Sequence, residues 1–230
     1  MVNRVFLITG ASSGIGAATA RAASREGYKL VLAARSEARL TGLAEELGPE
    51  NVLAVGMDVT DMAAQQTMVE QALERFGRLD VVFANAGRGG SPGGFSGADH
   101  TAWRDMILTN IYGVGLTVQA TLPALRHSRG HVLLTGSAAG RATIPGSMYG
   151  ATKWAVTGLG YNLREELRGS GIRVTLIEPG MVDTPFFDEP PEHALHDRDI
   201  AEAVLYAVGQ PEHVDVNEIL VRPTPPLSDD

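Results

Sequence analysis

Cysteine is absent from all 230 residues, which excludes disulfides, thiolate metal sites, iron–sulfur clusters and cysteine nucleophiles. A chain of this length buries enough surface to fold without such staples. The lack of thiols fits a reducing compartment, and the expected location is cytoplasmic. Long apolar runs are also missing: none approaches the roughly 18–20 residues needed to cross a bilayer. The first residues, MVNRVFLITG, lead straight into a strand-like run, without the apolar region and small-residue cleavage site of a signal peptide. Basic residues are in deficit, 19 against 27 acidic for a net charge of −8, and they form no run. Nucleic acids and anionic membranes are therefore not expected partners. None of the six histidines has metal-ligand spacing together with a third ligand, so no metal is expected. His193 and His196 read as polar groups of a loop.

What the chain does have is enough apolar sequence, 44% against 20% charged, for a folded core. Short β-branched runs occur at Val5–Thr9, Leu30–Ala33, Val52–Val55, Val81–Ala84, His131–Thr135, Arg173–Ile177 and Val216–Val221. Most are continuous rather than alternating, as expected of strands buried on both faces. Helical patterns lie between them, at 14–27, 36–46, 61–76, 99–126, 147–169 and 197–209. This alternation predicts an α/β chain whose parallel sheet is covered on both sides. No linker divides it, so residues 1–230 read as a single domain. Arg88–Gly97, with five glycines and a proline, reads as a loop. The segment 184–197, with three prolines, reads as an irregular lid, and 222–230 as a peripheral tail.

In such a sheet, ligands bind beyond the carboxyl ends of the strands. After the first run comes Gly10-Ala11-Ser12-Ser13-Gly14-Ile15-Gly16, opening a helix. Glycines permit a tight turn against a pyrophosphate, and the helix N-terminus favours the anion. At the end of the second run, an NAD site usually carries an acid for the ribose 2′-hydroxyl. Here Ala34 and Arg35 occupy that place. Arg35 is either a solvated cation or a partner for a 2′-phosphate, and beside the glycine turn it favours NADP. Asp58, followed by Val59, either accepts from an adenine amino group or caps the next helix. Asn85, Ala86 and Gly87 either admit a ribose or form a plain turn.

The chemistry centres on Ser137, Tyr149 and Lys153. Ser137 follows the fifth run. Tyr149 and Lys153 stand at i and i+4 of a helix, so they share a face about 6 Å apart. A free phenol has a pKa of about 10, and a nearby ammonium would lower it. With a serine orienting the substrate oxygen, the set makes a general acid/base beside a polarising hydrogen bond. Phe186, Phe187, Met148, Met181 and Ile144 read as either pocket or core. Trp103 and Trp154 read as helix-packing residues. Arg88 and Arg141 read as solvated, or as partners of a substrate carboxylate.

In this order, TGASSGIG at 9–16, DV at 58–59, NAG at 85–87, Asn110, Ser137, YGATK at 149–153 and PGMVDT at 179–184 resemble the short-chain dehydrogenase/reductase superfamily. The likeness is to its compact single-domain branch and spans about residues 4–222. It implies a Rossmann-like doubly wound parallel sheet of about seven strands, and NADP(H) transferring hydride to or from a small aldehyde, ketone or 3-hydroxy acid. It implies that Tyr149 moves the proton, Lys153 lowers its pKa and holds the nicotinamide ribose, and Ser137 binds the carbonyl oxygen. It gives Asn110 a helix-breaking, water-holding role, places Pro179, Gly180 and Val182 at the nicotinamide, and sets Thr184 at the carboxamide. It also implies a homotetramer or dimer packed through the helices at 99–126 and 147–169. The Ser137–Tyr149 interval is one shorter than the commonest family spacing, which bears on pocket shape. The ending HVDVNEILVRPT is similar to the NADP-dependent serine/3-hydroxy acid dehydrogenase subgroup and related carbonyl reductases. A 3-oxoacyl-carrier-protein reductase is the alternative enzyme, and a non-catalytic NADP-binding regulator the alternative class.

Overall fold

The computed structural model describes residues 4–90, 92–187 and 189–226. Ser91 of the glycine-rich loop, Asp188 of the expected lid and the last residues of the tail lie outside them. In chain order the elements are β1 (Val5–Thr9), α1 (Gly14–Arg25), β2 (Lys29–Ala34), α2 (Glu37–Leu47), β3 (Val52–Gly56), α3 (Met62–Phe76) and β4 (Val81–Ala84). Next come α4 (Gly94–Gly97), α5 (His100–Ile107), α6 (Gly113–Ser128), β5 (His131–Thr135), α7 (Met148–Glu166) and β6 (Arg173–Pro179). The chain closes with β7 (Val182–Asp183), β8 (Leu195–His196), α8 (Asp197–Gly209) and β9 (Glu218–Val221).

Seven strands pair in the order β3-β2-β1-β4-β5-β6-β9, every pair parallel. The continuous apolar runs follow from burial of both faces. Phe6, Ile8, Leu30 and Leu32 point into a core closed by α1, α2 and α8. The alternating Val5, Leu7, Val31 and Ala33 point into a second core closed by α3, α6 and α7. Residues of the central strands thus leave water whichever way they point, at about 25 cal/mol for each Å² of apolar surface, while the edge strands β3 and β9 are only partly covered. The order reverses between β1 and β4, and the crevice for a ligand opens at their carboxyl ends.

Several expectations change. The 99–126 helix is interrupted: α5 and α6 are joined by a π-helical turn at Leu108–Tyr112 that contains Asn110. The glycine-rich loop contains the short helix α4. The 184–197 segment is bounded by a small parallel pair, β7 with β8, and Leu195 N–H donates to the Met181 carbonyl at 2.9 Å. His196 caps α8: its backbone N–H donates to Asp199 at 2.8 Å in a reciprocal capping box. Trp154 is half exposed on α7 rather than packed inside, and its indole N–H donates to the Ala142 carbonyl at 3.3 Å. Among the described residues, no helix is long and apolar enough to cross a membrane.

Candidate active site

A cavity of about 1040 Å³ runs along the carboxyl ends of β1 to β6. The turn after β1 forms its floor. Gly10 has φ +66°, and a Cβ there would come within 2.8 Å of the Ala86 backbone. A Cβ on Gly16 would collide with the Gly10 carbonyl oxygen, so α1 seats directly on the turn. On Gly14 it would approach Thr184 to 3.0 Å, which places the ends of two expected contact segments together. Ser12, Ser13 and Ile15 complete the floor. Asn85 braces this turn: its Nδ2 donates to the Thr9 carbonyl at 3.0 Å, and its Oδ1 accepts from the Thr135 hydroxyl at 3.1 Å. The Thr9 hydroxyl accepts from the backbone N–H groups of Asn85 and Ala86, each at 3.1 Å. Asn85 therefore shapes the site with its side chain, while Ala86 and Gly87 face the cavity.

At one end the cavity is lined by Arg35, Ser36, Arg39, Asp58 and Val59. The capping alternative for Asp58 is settled against it. Asp61 caps α3, accepting from Ala63 and Ala64 at 2.9 and 3.1 Å. Asp58 accepts from the Thr60 backbone and hydroxyl at 2.9 and 2.8 Å. Those Thr60 bonds, with Arg35 and Arg88 nearby, hold its carboxyl below the ordinary range.

The other end holds Ser137, Tyr149 and Lys153. Ser147 caps α7, accepting from Gly150 N–H at 2.9 Å, so both ionisable groups fall in its first two turns. Lys153 is 4% exposed; its Nζ donates to the Thr135 carbonyl at 2.7 Å and lies 5.7 Å from the Tyr149 ring centroid. The Ser137 hydroxyl donates to the Pro179 carbonyl at 3.3 Å and accepts from Ala139 N–H at 3.1 Å. Asn110, 1% exposed, sits behind the wall: its amide donates to the Arg88 carbonyl and the Thr152 hydroxyl at 2.9 and 3.0 Å and accepts from Arg88 N–H at 2.8 Å. Thr152 in turn donates to the Tyr149 carbonyl at 2.8 Å.

Burial governs the two ionisable groups. It raises the Tyr149 phenol above its ordinary value, and the neighbouring Ser137 hydroxyl acts against it. Burial pushes the Lys153 ammonium down to about 8. The phenol is thus a proton donor at neutral pH rather than the lowered group expected from its neighbour.

Pro179, Gly180, Val182 and Thr184 all line the cavity, and Gly180 N–H donates to the Val221 carbonyl at 2.7 Å, tying the segment to β9. Phe186, Phe187, Met148, Met181 and Ile144 are cavity residues, not core. Arg141 is committed elsewhere: its Nε donates to the buried Glu178 at 2.8 Å, its Nη1 to Tyr161 at 2.7 Å, and it forms an ion pair with Glu218 at 2.6 Å. Arg88 pairs with Asp105 at 3.1 Å. Three participants escape a reading by motif alone. Arg39 is signalled only by its four-residue offset from Arg35, and Thr152 only by standing beside Lys153. The Thr135 carbonyl has no side-chain signature.

The chain matches the short chain dehydrogenase family over residues 4–194. It is 40% identical over 228 residues to an uncharacterized oxidoreductase of Staphylococcus aureus strain MW2, covering 97% of this chain and 98% of that protein. Among solved structures, an alcohol dehydrogenase from the archaeon Thermococcus sibiricus, complexed with 5-hydroxy-NADP, superposes with a TM-score of 0.89 at 35% identity, covering 98% of this chain and 99% of the other. Serine dehydrogenase from Escherichia coli does so with a TM-score of 0.86 at 32% identity, covering 94% and 96%.

Proposed function

This chain belongs to the short chain dehydrogenase family, and on that premise we propose that it is an NADP(H)-dependent oxidoreductase interconverting a carbonyl compound and its alcohol. The observation that carries the reading is a single cavity with Arg35 and Arg39 at one end and Ser137, Tyr149 and Lys153 at the other. A dinucleotide fits it. The glycines at 10, 14 and 16 let the turn pack against Ala86, Thr184 and α1, and Gly10, Gly14 and Gly87 line a cavity of about 1040 Å³. Arg35, in place of an acid at the end of β2, would supply a cation to a 2′-phosphate.

When bound, the reduced nicotinamide supplies a hydride to the carbonyl carbon. Ser137 donates a hydrogen bond to the carbonyl oxygen, and Tyr149 gives that oxygen its phenolic proton, leaving an alcohol. The raised phenol pKa keeps this proton in place at neutral pH and suits reduction. Lys153 holds the ribose and stabilises the phenolate until a proton returns from solvent. The Asn110 side chain is braced by Arg88 and Thr152, and the resemblance gives this residue the water-holding role in returning that proton. Asp58 would hold the adenine amino group, the 179–184 segment would contact the nicotinamide, and 184–197 would serve as the substrate lid.

The test is calorimetry and turnover with both cofactors. NADPH should bind more tightly than NADH and be oxidised in the presence of simple aldehydes or ketones. Equal or tighter NADH binding removes the cofactor assignment, and absence of turnover across carbonyls and alcohols removes the enzymatic one. A dimer or tetramer is proposed as the working form, supported by the half-exposed Tyr112 and Trp154 on the long helical segments. A monomer at micromolar concentration by light scattering contradicts that.

A further inference from the structure

A substrate whose carbonyl oxygen meets Ser137 and Tyr149 must direct its substituents at two walls. One is formed by Ile144 and Met148, at the entry to α7; the other by Met181 and Phe186, beyond β6. Ile144, Met181 and Phe186 are exposed apolar side chains gathered at a cavity mouth, where such surface marks a binding function. Phe186 is seated there firmly. Its ring packs edge-to-face on Tyr149, with centroids 5.6 Å apart, and on Phe187 at 5.3 Å. It occupies the space that any side chain at residue 89 would need, since a Cβ on Gly89 would run into it.

The charges lead to the same conclusion. Among the described residues, the cations lining the cavity are Arg35, Arg39, Arg88 and Lys153. The first two stand at the far end. Lys153 points at the Thr135 carbonyl, beneath Tyr149. Arg88 is paired with Asp105. Arg141, the remaining candidate for a carboxylate, is turned into Glu178, Glu218 and Tyr161. A carboxylated substrate would have to draw Arg88 away from Asp105, which Arg104 also holds, or leave its charge unpaired beside methionine and phenylalanine, and it gains nothing from the apolar walls in either case. Methionines beside aromatic rings instead adapt to a ring or a branched alkyl group.

We infer that the substrate is an uncharged carbonyl compound, or its alcohol, bearing an aromatic or branched apolar substituent, and that Phe186 is the residue selecting for that substituent. The inference rests on the oxidoreductase reading above and narrows it away from hydroxy acids.

Ethyl benzoylformate and benzoylformate test it, because they present the same aryl ketone without and with a negative charge. With saturating NADPH, kcat/KM for the ester should exceed that for the acid by about tenfold or more, the consequence of placing a charge against partly exposed apolar walls. Phe186→Ala should lower kcat/KM for the ester about tenfold, mainly through KM, with NADPH affinity unchanged. Reduction of the acid as efficiently as the ester overturns the inference. So does an unchanged Phe186→Ala, or failure to reduce either ketone while straight-chain aldehydes are reduced. If no carbonyl or alcohol reacts although NADPH binds, the oxidoreductase reading itself fails, and this inference with it.

Discussion

Lys153 is anchored to Thr135 by a 2.7 Å hydrogen bond from its ammonium to the strand carbonyl, and it is 4% exposed. One neutral acceptor does not replace the water that a cation loses on burial, so its pKa falls from 10.5 to about 8. The folded value lies below the unfolded one. The unfolded chain therefore holds the proton more tightly between these values, and the cost to folding is fully present below pH 8. From 10.5 to about 8 that cost is roughly 3 kcal/mol. Lys153→Met should consequently stabilise the protein at pH 7 by about 1–2 kcal/mol, after loss of the Thr135 bond, while turnover and NADPH affinity both drop. Urea denaturation at pH 7 with parallel kinetics checks this. A variant less stable than the parent would show that the lysine is structural. In the parent, kcat/KM should decline as pH rises past 8 and the ammonium is lost.

Cofactor choice rests on Arg35. Arg35→Ala should weaken NADPH binding about 10- to 100-fold, the worth of hydrogen bonds to a charged group, and leave NADH binding unaltered. Arg39→Ala should act in the same direction by a smaller factor. Calorimetry with the two nucleotides separates this from a general loss of folding, which would weaken both.

The motif residues were legible because short-range rules place them. Tyr149 and Lys153 share a face at any i, i+4 spacing, and a glycine turn after a buried strand needs no tertiary knowledge. The strands were legible because both sheet faces are covered. What stayed hidden depends on contacts distant in sequence. Helical periodicity across 99–126 passes through Asn110 without a break, and the π-helical turn holding it faces Arg88, 22 residues earlier. Arg141 reads as free until Glu178 and Glu218 reach it from two other strands. β9 begins at Glu218 rather than Val216, because an edge strand is only partly covered and its pattern carries less signal.

Far from the cavity, at the amino end of β5, His131 lies wholly buried. Its Nε2 is 2.7 Å from the Thr175 hydroxyl. That hydroxyl already donates to the Val216 carbonyl, so it accepts from Nε2–H, and Nδ1 has no partner. Burial, with Arg173 and Arg4 nearby, pushes the ring down to about 3 from 6.5. The unfolded chain therefore takes up this proton first, and stability is lost as pH falls below 6.5. Between pH 7 and pH 4 this histidine should cost about 3 kcal/mol. His131→Leu should lose that much less over the same interval in urea denaturation. An equal decline in both proteins would show that the acid sensitivity arises elsewhere.

Proton transfer by Tyr149 is the central step, and Tyr149→Phe removes that proton while keeping the ring that packs on Phe186. The direct measurement is NADPH oxidation by this variant with a carbonyl substrate that the parent reduces, alongside calorimetric NADPH binding. Turnover should fall by roughly 10²–10⁴ with cofactor affinity preserved. Activity within about threefold of the parent, a barrier change of about 0.7 kcal/mol, would contradict the mechanism.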